Sequence, residues 1–227
     1  MISTTFLRYE LKYLLTEAQY AAVRAETDNR LSPDAFGETT VQSLYFDTPD
    51  FRLIRASIEE PEYKEKLRLR CYGQNTDDRD VYLEMKRKAD GVVYKRRLAC
   101  KEAEGKALSD ASLADSQIGR ELRYFLRLYG NLAPRCLILC ERSAFFDPQS
   151  DLRVTFDRNV RFRTDRLDCS ETTEGQSLLP PGTVLMELKT GTAFPLWLCR
   201  LLSRNRFYKT SFSKYGTAYL RNFQNII

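Results

Sequence analysis

The chain has 227 residues, 43% of them hydrophobic and 30% charged, which is enough to bury one core of globular size. Its formal net charge of +5 is a mild excess of interspersed charges, so we expect no nucleic-acid partner. The chain contains no histidine, which excludes Ser-His-Asp and Cys-His catalysis and every histidine-ligated metal site. Because no linker or charge block interrupts the sequence, we expect a single domain over residues 1–227.

Strand patterns dominate the sequence. Period-two alternation, or enrichment in β-branched and aromatic residues, predicts about eight strands. In chain order these are FLRYELKYLL (6–15), VQSLYFDT (41–48), KEKLRLRCYG (64–73), VYLEMKRKA (81–89), VVYKRRLACK (92–101), RCLILCERSAFFD (135–147), LRVTFDRNVRFR (152–163) and VLMELKT (184–190).

Helix signals are fewer than strand signals. Thr16 and Gln19 form a capping box that opens a helix reaching about Asn29. Ser116 caps a second helix with an apolar face, and Pro195 occupies the first turn of a third, PLWLCRLLSRN. Many strands with few helices predict an α+β protein.

Charged residues share one face of several predicted strands. In the first strand, Arg8, Glu10 and Lys12 alternate with apolar or aromatic neighbours. An antiparallel sheet normally exposes such a face to water, which is the ordinary explanation for a single strand. The pattern recurs in other strands, however, and Arg142 and Glu187 lie in segments too apolar for a surface strand. We therefore expect the charged faces to be enclosed.

An enclosed polar face predicts a closed antiparallel eight-stranded β-barrel, a tunnel with a polar, basic lumen and with helices packed on its outside. Enclosed cations repel one another and lose hydration unless an anion joins them. The cations expected to point inward are Arg8, Lys12, Arg68, Arg70, Lys86, Arg142, Arg153, Lys189 and Lys214, and the inward carboxylates are Glu10, Glu84 and Glu187.

Arg68 and Arg70 lie side by side on one strand face, with Lys64 and Lys66 preceding them. A guanidinium fork matches phosphate oxygens and keeps its charge when buried, so we expect these arginines to contact phosphates. The few inward carboxylates suit a Mg or Mn ion that bridges those phosphates. Asp157 is interpreted either as a lumen residue or as a cross-strand partner, and Asp47 either as a lumen residue or as a turn residue.

The cysteines indicate a reducing compartment. Six are present without a C-x-x-C pair, and several fall in strand-like segments, which favours buried free thiols and a cytoplasmic location. No apolar run approaches the roughly 18 residues of a membrane span, so we expect neither a span nor an export signal.

Seven motifs follow one another along the chain: RYELKY (8–13), SLYFDT (43–48), KLRLRCYG (66–73), YLEMKRK (82–88), ERSAF (141–145), MELK (186–189) and FSKYGTAY (212–219). Together they resemble the VTC (vacuolar transporter chaperone) domain. That domain is the catalytic part of eukaryotic polyphosphate polymerase and belongs to the triphosphate tunnel metalloenzyme superfamily. E-x-K and R-x-R are weak signals alone, but their combination with YFDT and SKY is fairly specific.

The resemblance implies an eight-stranded tunnel that binds ATP, threads a growing polyphosphate chain and uses Mn or Mg. It implies Glu187 as the metal ligand, with Glu10 as a second ligand. Arg8, Arg153 and Lys189 remain expected substrate-binding residues from their inward positions. The catalytic, phosphate-contacting positions that the resemblance implies are Lys12, Arg68, Arg70, Lys86, Arg142 and Lys214.

The chain departs from the family pattern at two positions. Ser211 stands three residues before Lys214, where the eukaryotic enzymes carry a second lysine, and Lys209 is the expected substitute. Arg8 replaces the first glutamate of the E-x-E-x-K motif that opens the related CYTH branch. This replacement favours a polymerase over thiamine or inorganic triphosphatases.

Three functions stay open from the sequence. In a polymerase, a terminal phosphate oxygen of the chain attacks the γ-phosphoryl group of ATP, whereas attack by water makes the same site a tripolyphosphate or nucleoside triphosphate hydrolase. The third function is a non-catalytic polyphosphate-binding module. Glu187 beside Lys189 argues against this module, because a pure binder gains little from a carboxylate among cations. The expected partners are ATP and polyphosphate or triphosphate.

Overall fold

The computed structural model describes residues 9–59, 62–73, 81–89, 92–108, 113, 115–169 and 174–222, and these residues fold into strands and helices. The strands are β1 (Tyr9–Thr16), β2 (Ser32–Asp47), β3 (Tyr63–Tyr72), β4 (Val81–Ala89), β5 (Val92–Ala99), β6 (Ala133–Phe146), β7 (Arg153–Arg163), β8 (Gln176–Ser177) and β9 (Thr183–Thr190). The helices are α1 (Glu17–Thr27), α2 (Arg52–Ile58), α3 (Glu102–Ala107), α4 (Gln117–Tyr129), α5 (Leu196–Arg204) and α6 (Lys214–Asn222).

The strands form one curled antiparallel sheet. Their order is β1-β9-β7-β6-β2-β3-β4-β5, and β8 pairs only with β7. Within the part of the chain that the structure describes, the edge strands β1 and β5 do not pair, so the predicted closed barrel is not confirmed. The α+β class is confirmed.

The edge strand β1 has another backbone partner. The N–H of Thr210, in the segment before α6, donates to the carbonyl of Lys12 at 2.8 Å. Across the open side of the sheet, Nζ of Lys86 in β4 lies 3.2 Å from Oε2 of Glu10 in β1. The bond from Thr210 therefore satisfies one backbone acceptor of the edge that a barrel would close with strand hydrogen bonds, and the ion pair links the side chains of β1 and β4.

The eight predicted strands are found as β1 to β7 and β9, and the three predicted helices are found as α1, α4 and α5. The capping box of Thr16 and Gln19 is present, and Ser116 Oγ accepts the N–H of Gly119. Three helices, α2, α3 and α6, were not predicted. The first half of β2 was missed as well, because Pro33 and a register shift before Glu38 hide the alternation.

Apolar side chains pack on both faces of the sheet. On the outer face, Leu122 and Phe125 of α4 are fully buried against β3 and β4, while α1 and α5 cover β7 and β9. The expectation that helices pack only outside is wrong for α6. Its Tyr215 stacks on Tyr45 of the concave face, with ring centroids 4.7 Å apart. This packing buries an apolar end of the concave face that water would otherwise contact.

Asp47 is a structural residue of this apolar end. Its carboxylate is fully buried and accepts the backbone N–H groups of Leu53 and Ile54 in α2 and the hydroxyl of Tyr215. By accepting these bonds, Asp47 gives a partner to two backbone N–H groups at the start of α2 and links α6 to α2. None of the helices described is both long and apolar enough to cross a membrane.

Candidate functional site

A cavity of about 810 Å³ lies on the concave face of the sheet, next to the start of α6. Because side chains alternate along a strand, every second residue of β3, β4 and β9 faces this cavity. The charged residues that line it are Glu10, Lys12, Lys64, Lys66, Arg68, Arg70, Glu84, Lys86, Lys88, Lys95, Arg142, Glu187, Lys189 and Lys214.

Most of the predicted site residues meet in this cavity, and their roles stay predictions. Arg153 and Lys209 are exposed and do not line it: Arg153 opens β7 at the rim, and Lys209 lies in the segment before α6. Arg8 lies outside the described residues. The predicted residues that line the cavity are Glu10, Lys12, Arg68, Arg70, Lys86, Arg142, Glu187, Lys189 and Lys214.

Glu84 holds the first group of cations. It is 1% exposed and stands between Arg68 and Arg97 in the register of three adjacent strands. Arg68 donates to its Oε2 from Nε and Nη2, at 2.9 and 2.7 Å, and Arg97 donates to its Oε1 at 2.8 Å. Lys95 Nζ lies 2.6 Å from Oε1. Burial opposes ionisation of Glu84, but the attraction of Arg68 and Arg70 outweighs it and holds the pKa of Glu84 well below its usual range.

Arg70 is held more loosely than Arg68. Its Nε lies 3.7 Å from Glu84 Oε2 and, among the described residues, this buried donor has no hydrogen-bond partner. Because a buried N–H without an acceptor is costly, Arg70, which lines the cavity, has a donor whose hydrogen-bonding capacity is unused.

Asp157 holds a second group of cations. It is the cross-strand partner of Arg142 in the β6–β7 pair and does not itself line the cavity. Its carboxylate is fully buried and accepts a two-point contact from Arg142, at 2.6 and 2.7 Å, and a further bond from Lys214. Burial opposes its ionisation, but Arg142 and Lys214 lower its pKa below the usual range. Lys214 also donates to Glu187 Oε1 at 3.1 Å. These ion pairs hold Arg142 and Lys214 in a defined orientation without a bound substrate.

Glu187 and Glu10, the two predicted metal ligands, both line the cavity. Glu10 faces Lys189 and Glu187 faces Lys12 in the β1–β9 register, so the two carboxylates lie diagonally on one face. Lys189 donates to Glu187 Oε2 at 2.7 Å. Although burial opposes ionisation of Glu10, Lys86 and Lys189 lower its pKa to about 2. Both groups are therefore anionic at neutral pH.

These donors fit a hard divalent cation. Ionised carboxylate oxygens are ligands that Mg and Mn accept, commonly together with substrate phosphate oxygens. In the residues described, no third carboxylate or cysteine joins Glu10 and Glu187 closely enough to complete a protein ligand set. The arrangement therefore suits an ion held jointly by these carboxylates and phosphate oxygens.

Lys66 is a cavity residue that was not assigned to the site. Its Nζ donates to Ser213 Oγ at 3.2 Å, and no described carboxylate lies within ion-pair distance of it. Burial, followed by repulsion from Lys86 and Lys12, lowers its pKa to about 7. The sequence could have indicated this residue, because Lys66 lies two residues before Arg68 and their side chains therefore share one face of β3.

Solved structures with this fold are known. The chain superposes on a candidate adenylate cyclase from Bacillus halodurans with a TM-score of 0.59 and 13% identity, covering 98% of this chain and 100% of the other. It superposes equally on a candidate adenylyl cyclase from Hippeastrum, described as having a dominant triphosphatase activity, with a TM-score of 0.59, 16% identity and 95% of each chain covered. A Vibrio parahaemolyticus protein gives a TM-score of 0.51 with 12% identity, 94% of this chain and 98% of the other being covered.

The sequence itself matches a known family. A comparison with curated proteins finds no match. A profile of the VTC domain matches residues 7–223, which is nearly the whole chain. The motifs, the curled antiparallel sheet and the basic cavity agree with that match. The chain therefore belongs to the VTC domain family.

Proposed function

We propose that this protein is a metal-dependent polyphosphate polymerase that transfers the γ-phosphate of ATP to a polyphosphate chain. The main support is the cavity, which, among the residues that the structure describes, is lined by eleven Lys and Arg side chains and three carboxylates. Such a wall requires a polyanion for charge balance, because enclosed cations repel one another. Membership of the VTC family supports a substrate of the polyphosphate or triphosphate class.

The arginines on β3 suit the triphosphate of the donor. Glu84 fixes Arg68 by two hydrogen bonds, while the unsatisfied Nε of Arg70 is free to donate to a phosphate oxygen. Groups already oriented toward developing charge stabilise a transition state without reorganisation. We assign Arg68 and Arg70 to the β- and γ-phosphates.

Arg142 and Lys214 suit the transferred group or the acceptor, because both line the cavity and Asp157 holds both in place. The acceptor oxygen forms a bond to the γ-phosphorus as the bond to the bridging oxygen of ADP breaks, so no protein nucleophile is needed. A Mn or Mg ion at Glu187 and Glu10 supplies charge neutralisation for these oxygens. Positioning by the cations is the remaining contribution of this chain.

A hydrolase is the second candidate, because the Hippeastrum protein with the same fold is described as a triphosphatase. The two activities differ only in the acceptor, water or a phosphate chain. A non-catalytic polyphosphate-binding module is less well supported, since Glu10 and Glu187 weaken a purely cationic site. We further propose a cytoplasmic location, with ATP and polyphosphate as partners.

The product distribution separates these three functions. Purified protein is incubated with ATP and Mn or Mg, and ADP, free phosphate and polyphosphate are quantified, with an EDTA reaction as control. A polymerase yields ADP and long-chain polyphosphate with little phosphate. ADP and phosphate in equal amounts, or phosphate released from tripolyphosphate in a parallel reaction, indicate the hydrolase. No turnover of ATP or of tripolyphosphate indicates the binding module.

Tripolyphosphate is expected to stabilise the folded protein without metal. An anion that binds only the folded state raises the unfolding free energy, by about 2.7 kcal/mol at 100 times its Kd. Thermal melts in EDTA measure this shift, with chloride at equal ionic strength as the control. An unchanged melting temperature would count against an anion-binding cavity.

The affinity for tripolyphosphate is expected to fall as the pH rises from 6 to 8. The pKa of Lys66 is about 7, so this lysine is a cation below pH 7 and is mostly neutral at pH 8. Its charge acts together with Lys12 on β1, Lys64 and Arg68 on β3, and Lys86 on β4. At pH 6, Lys66→Met is expected to weaken binding by about tenfold, the loss of one hydrogen bond to a charged group.

Isothermal titration at each pH checks this prediction. The pKa of Lys95 is also about 7, so Lys95 contributes to the pH dependence of the affinity as well. The contribution of Lys66 is the part of that pH dependence that is lost in the Lys66→Met variant. Arg200→Ala, an exposed substitution on α5, is the matched control. If the mutant keeps the wild-type pH profile, Lys66 does not contact the anion.

A further inference from the structure

Three potential metal ligands converge on the side of the sheet away from the cavity. Cys71 lies near the end of β3, Glu102 begins α3, and Cys169 follows β7. The two sulfur atoms and a carboxylate oxygen all lie within 4.8 Å of one another. Both cysteines are 1% exposed and pack in the outer apolar cluster with Phe125 of α4. None of the three lines the cavity.

The spacing is close to that of a tetrahedral zinc site. With Zn–S near 2.3 Å and Zn–O near 2.1 Å, neighbouring ligand atoms of a tetrahedron lie roughly 3.5 to 3.8 Å apart. Ligand atoms within 4.8 Å of one another thus need shifts of about 1 Å or less. Two thiolates and a carboxylate suit Zn²⁺ better than the hard cations of the cavity.

The surroundings of Glu102 provide outer-shell support. The backbone N–H of Cys169 donates to Glu102 Oε1 at 3.1 Å, and Lys106 lies 2.7 Å from the same oxygen. Such bonds orient a ligating carboxylate. A zinc ion with two thiolates and one carboxylate carries a net charge of −1, and Lys106 neutralises it. Charge balance is needed because both cysteines are buried.

We propose that Cys71, Glu102 and Cys169 bind one Zn²⁺ ion as a structural site distinct from the metal position in the cavity. Binding replaces two thiol protons, which are released to solvent, with the metal. The fourth ligand is water, which reaches the site beside the Glu102 side chain, 24% of which is exposed. The ion fastens β3, which carries Arg68 and Arg70, to α3 and to the segment after β7.

The ordinary alternative is that two neutral thiols pack beside a carboxylate that Lys106 already neutralises. Metal analysis distinguishes the two. Reduced protein is stripped with a chelator, given a small excess of Zn²⁺ and desalted, and the bound zinc is counted. The Glu187→Gln variant is measured as well, since it lacks the main carboxylate of the cavity. About one zinc per chain is expected in both proteins.

Substitutions locate the ion. Cys71→Ser with Cys169→Ser is expected to lose the zinc, while Cys199→Ser, at an exposed cysteine on α5, keeps it. Glu102→Gln is expected to weaken zinc binding by at least about tenfold, and its amide oxygen can still accept the N–H of Cys169. This variant tests the site if the double cysteine variant does not fold. Cobalt in place of zinc is expected to give thiolate charge-transfer absorption in the wild type and in Cys199→Ser, and none in the Cys71→Ser, Cys169→Ser variant.

Three outcomes would overturn the proposal. The first is no retained zinc in the wild type. The second is equal zinc in the wild type and in the Cys71→Ser, Cys169→Ser variant. The third is a disulfide between Cys71 and Cys169, detected by mass spectrometry, in protein that binds no zinc when reduced. None of these results bears on the polymerase assignment, because turnover of ATP with Mn is measured separately.

Discussion

Replacing Glu187 with glutamine is expected to reduce metal-dependent ATP turnover by more than about 100-fold. Mutating a residue that only hydrogen-bonds to a metal ligand already lowers metal affinity or activity by roughly 10- to 100-fold, and Glu187 is expected to bind the metal directly. Glutamine keeps the shape of the side chain but removes a negative oxygen donor from the metal. Phosphate binding in EDTA is expected to persist or to tighten, because a negative charge that opposes the phosphates is gone. Lys189 and Lys214, which now contact Glu187, become available to the anion as well.

The contacts of Glu187 also define the competing explanation. If Glu187 only neutralises Lys189 and Lys214, the variant loses stability and its response to Mn stays unchanged. ATP turnover across a Mn titration, tripolyphosphate affinity in EDTA and a thermal melt together distinguish the two. Glu26→Gln, on the exposed surface of α1, is the control substitution. Wild-type turnover in the Glu187→Gln variant would show that the metal assignment is wrong.

Replacing Arg70 with alanine is expected to lower nucleotide affinity and turnover together, with kcat/KM falling by about 100- to 1000-fold, as for other preorganised donors. Its buried Nε has no hydrogen-bond partner in the described residues, and we expect a phosphate oxygen of the substrate to accept a hydrogen bond from it. Arg70→Lys is expected to recover only part of the loss, because an ammonium group lacks the planar fork.

Arg97→Ala is a matched control for Arg70→Ala. Both arginines contact Glu84, but Arg97 does not line the cavity. Both variants remove a cation from Glu84, and Arg97 is the more tightly bonded of the two, but only Arg70 lines the cavity. Steady-state kinetics and thermal melts of both variants check the assignment. Equal losses of activity in both would mean that Arg70 acts only through Glu84.

The strand framework was predictable because its signals are local. Alternation along β1, β3, β4 and β9 fixed which side chains share a face, and this brought Glu10, Lys12, Arg68 and Glu187 into one cavity. The closure of the sheet was not predictable, because it depends on long-range pairing of β1 and β5. In the described residues, Lys12 of β1 instead accepts a backbone hydrogen bond from Thr210, and Glu10 of β1 forms an ion pair with Lys86 of β4.

The missed features depend on tertiary contacts. Gly216 and Thr217 give α6 a weak helix propensity, yet Tyr215 packs on Tyr45 and stabilises it. The sequence left Asp157 open between a lumen role and a cross-strand partner, and the choice depended on the contacts that Arg142 of β6 and Lys214 of α6 make with it. The low pKa of Lys66 likewise depends on burial and on three strands converging.

The central claim is that the acceptor of the γ-phosphate is a phosphate chain. The most direct measurement supplies ATP labelled in the γ-phosphate, a polyphosphate primer of defined length and Mn, and resolves the products on a denaturing gel. A polymerase gives label in chains longer than the primer, with ADP formed in equal amount and label transfer at least about 100-fold slower in the Glu187→Gln variant. Label found only in free phosphate, with the primer unextended, would show that water is the acceptor.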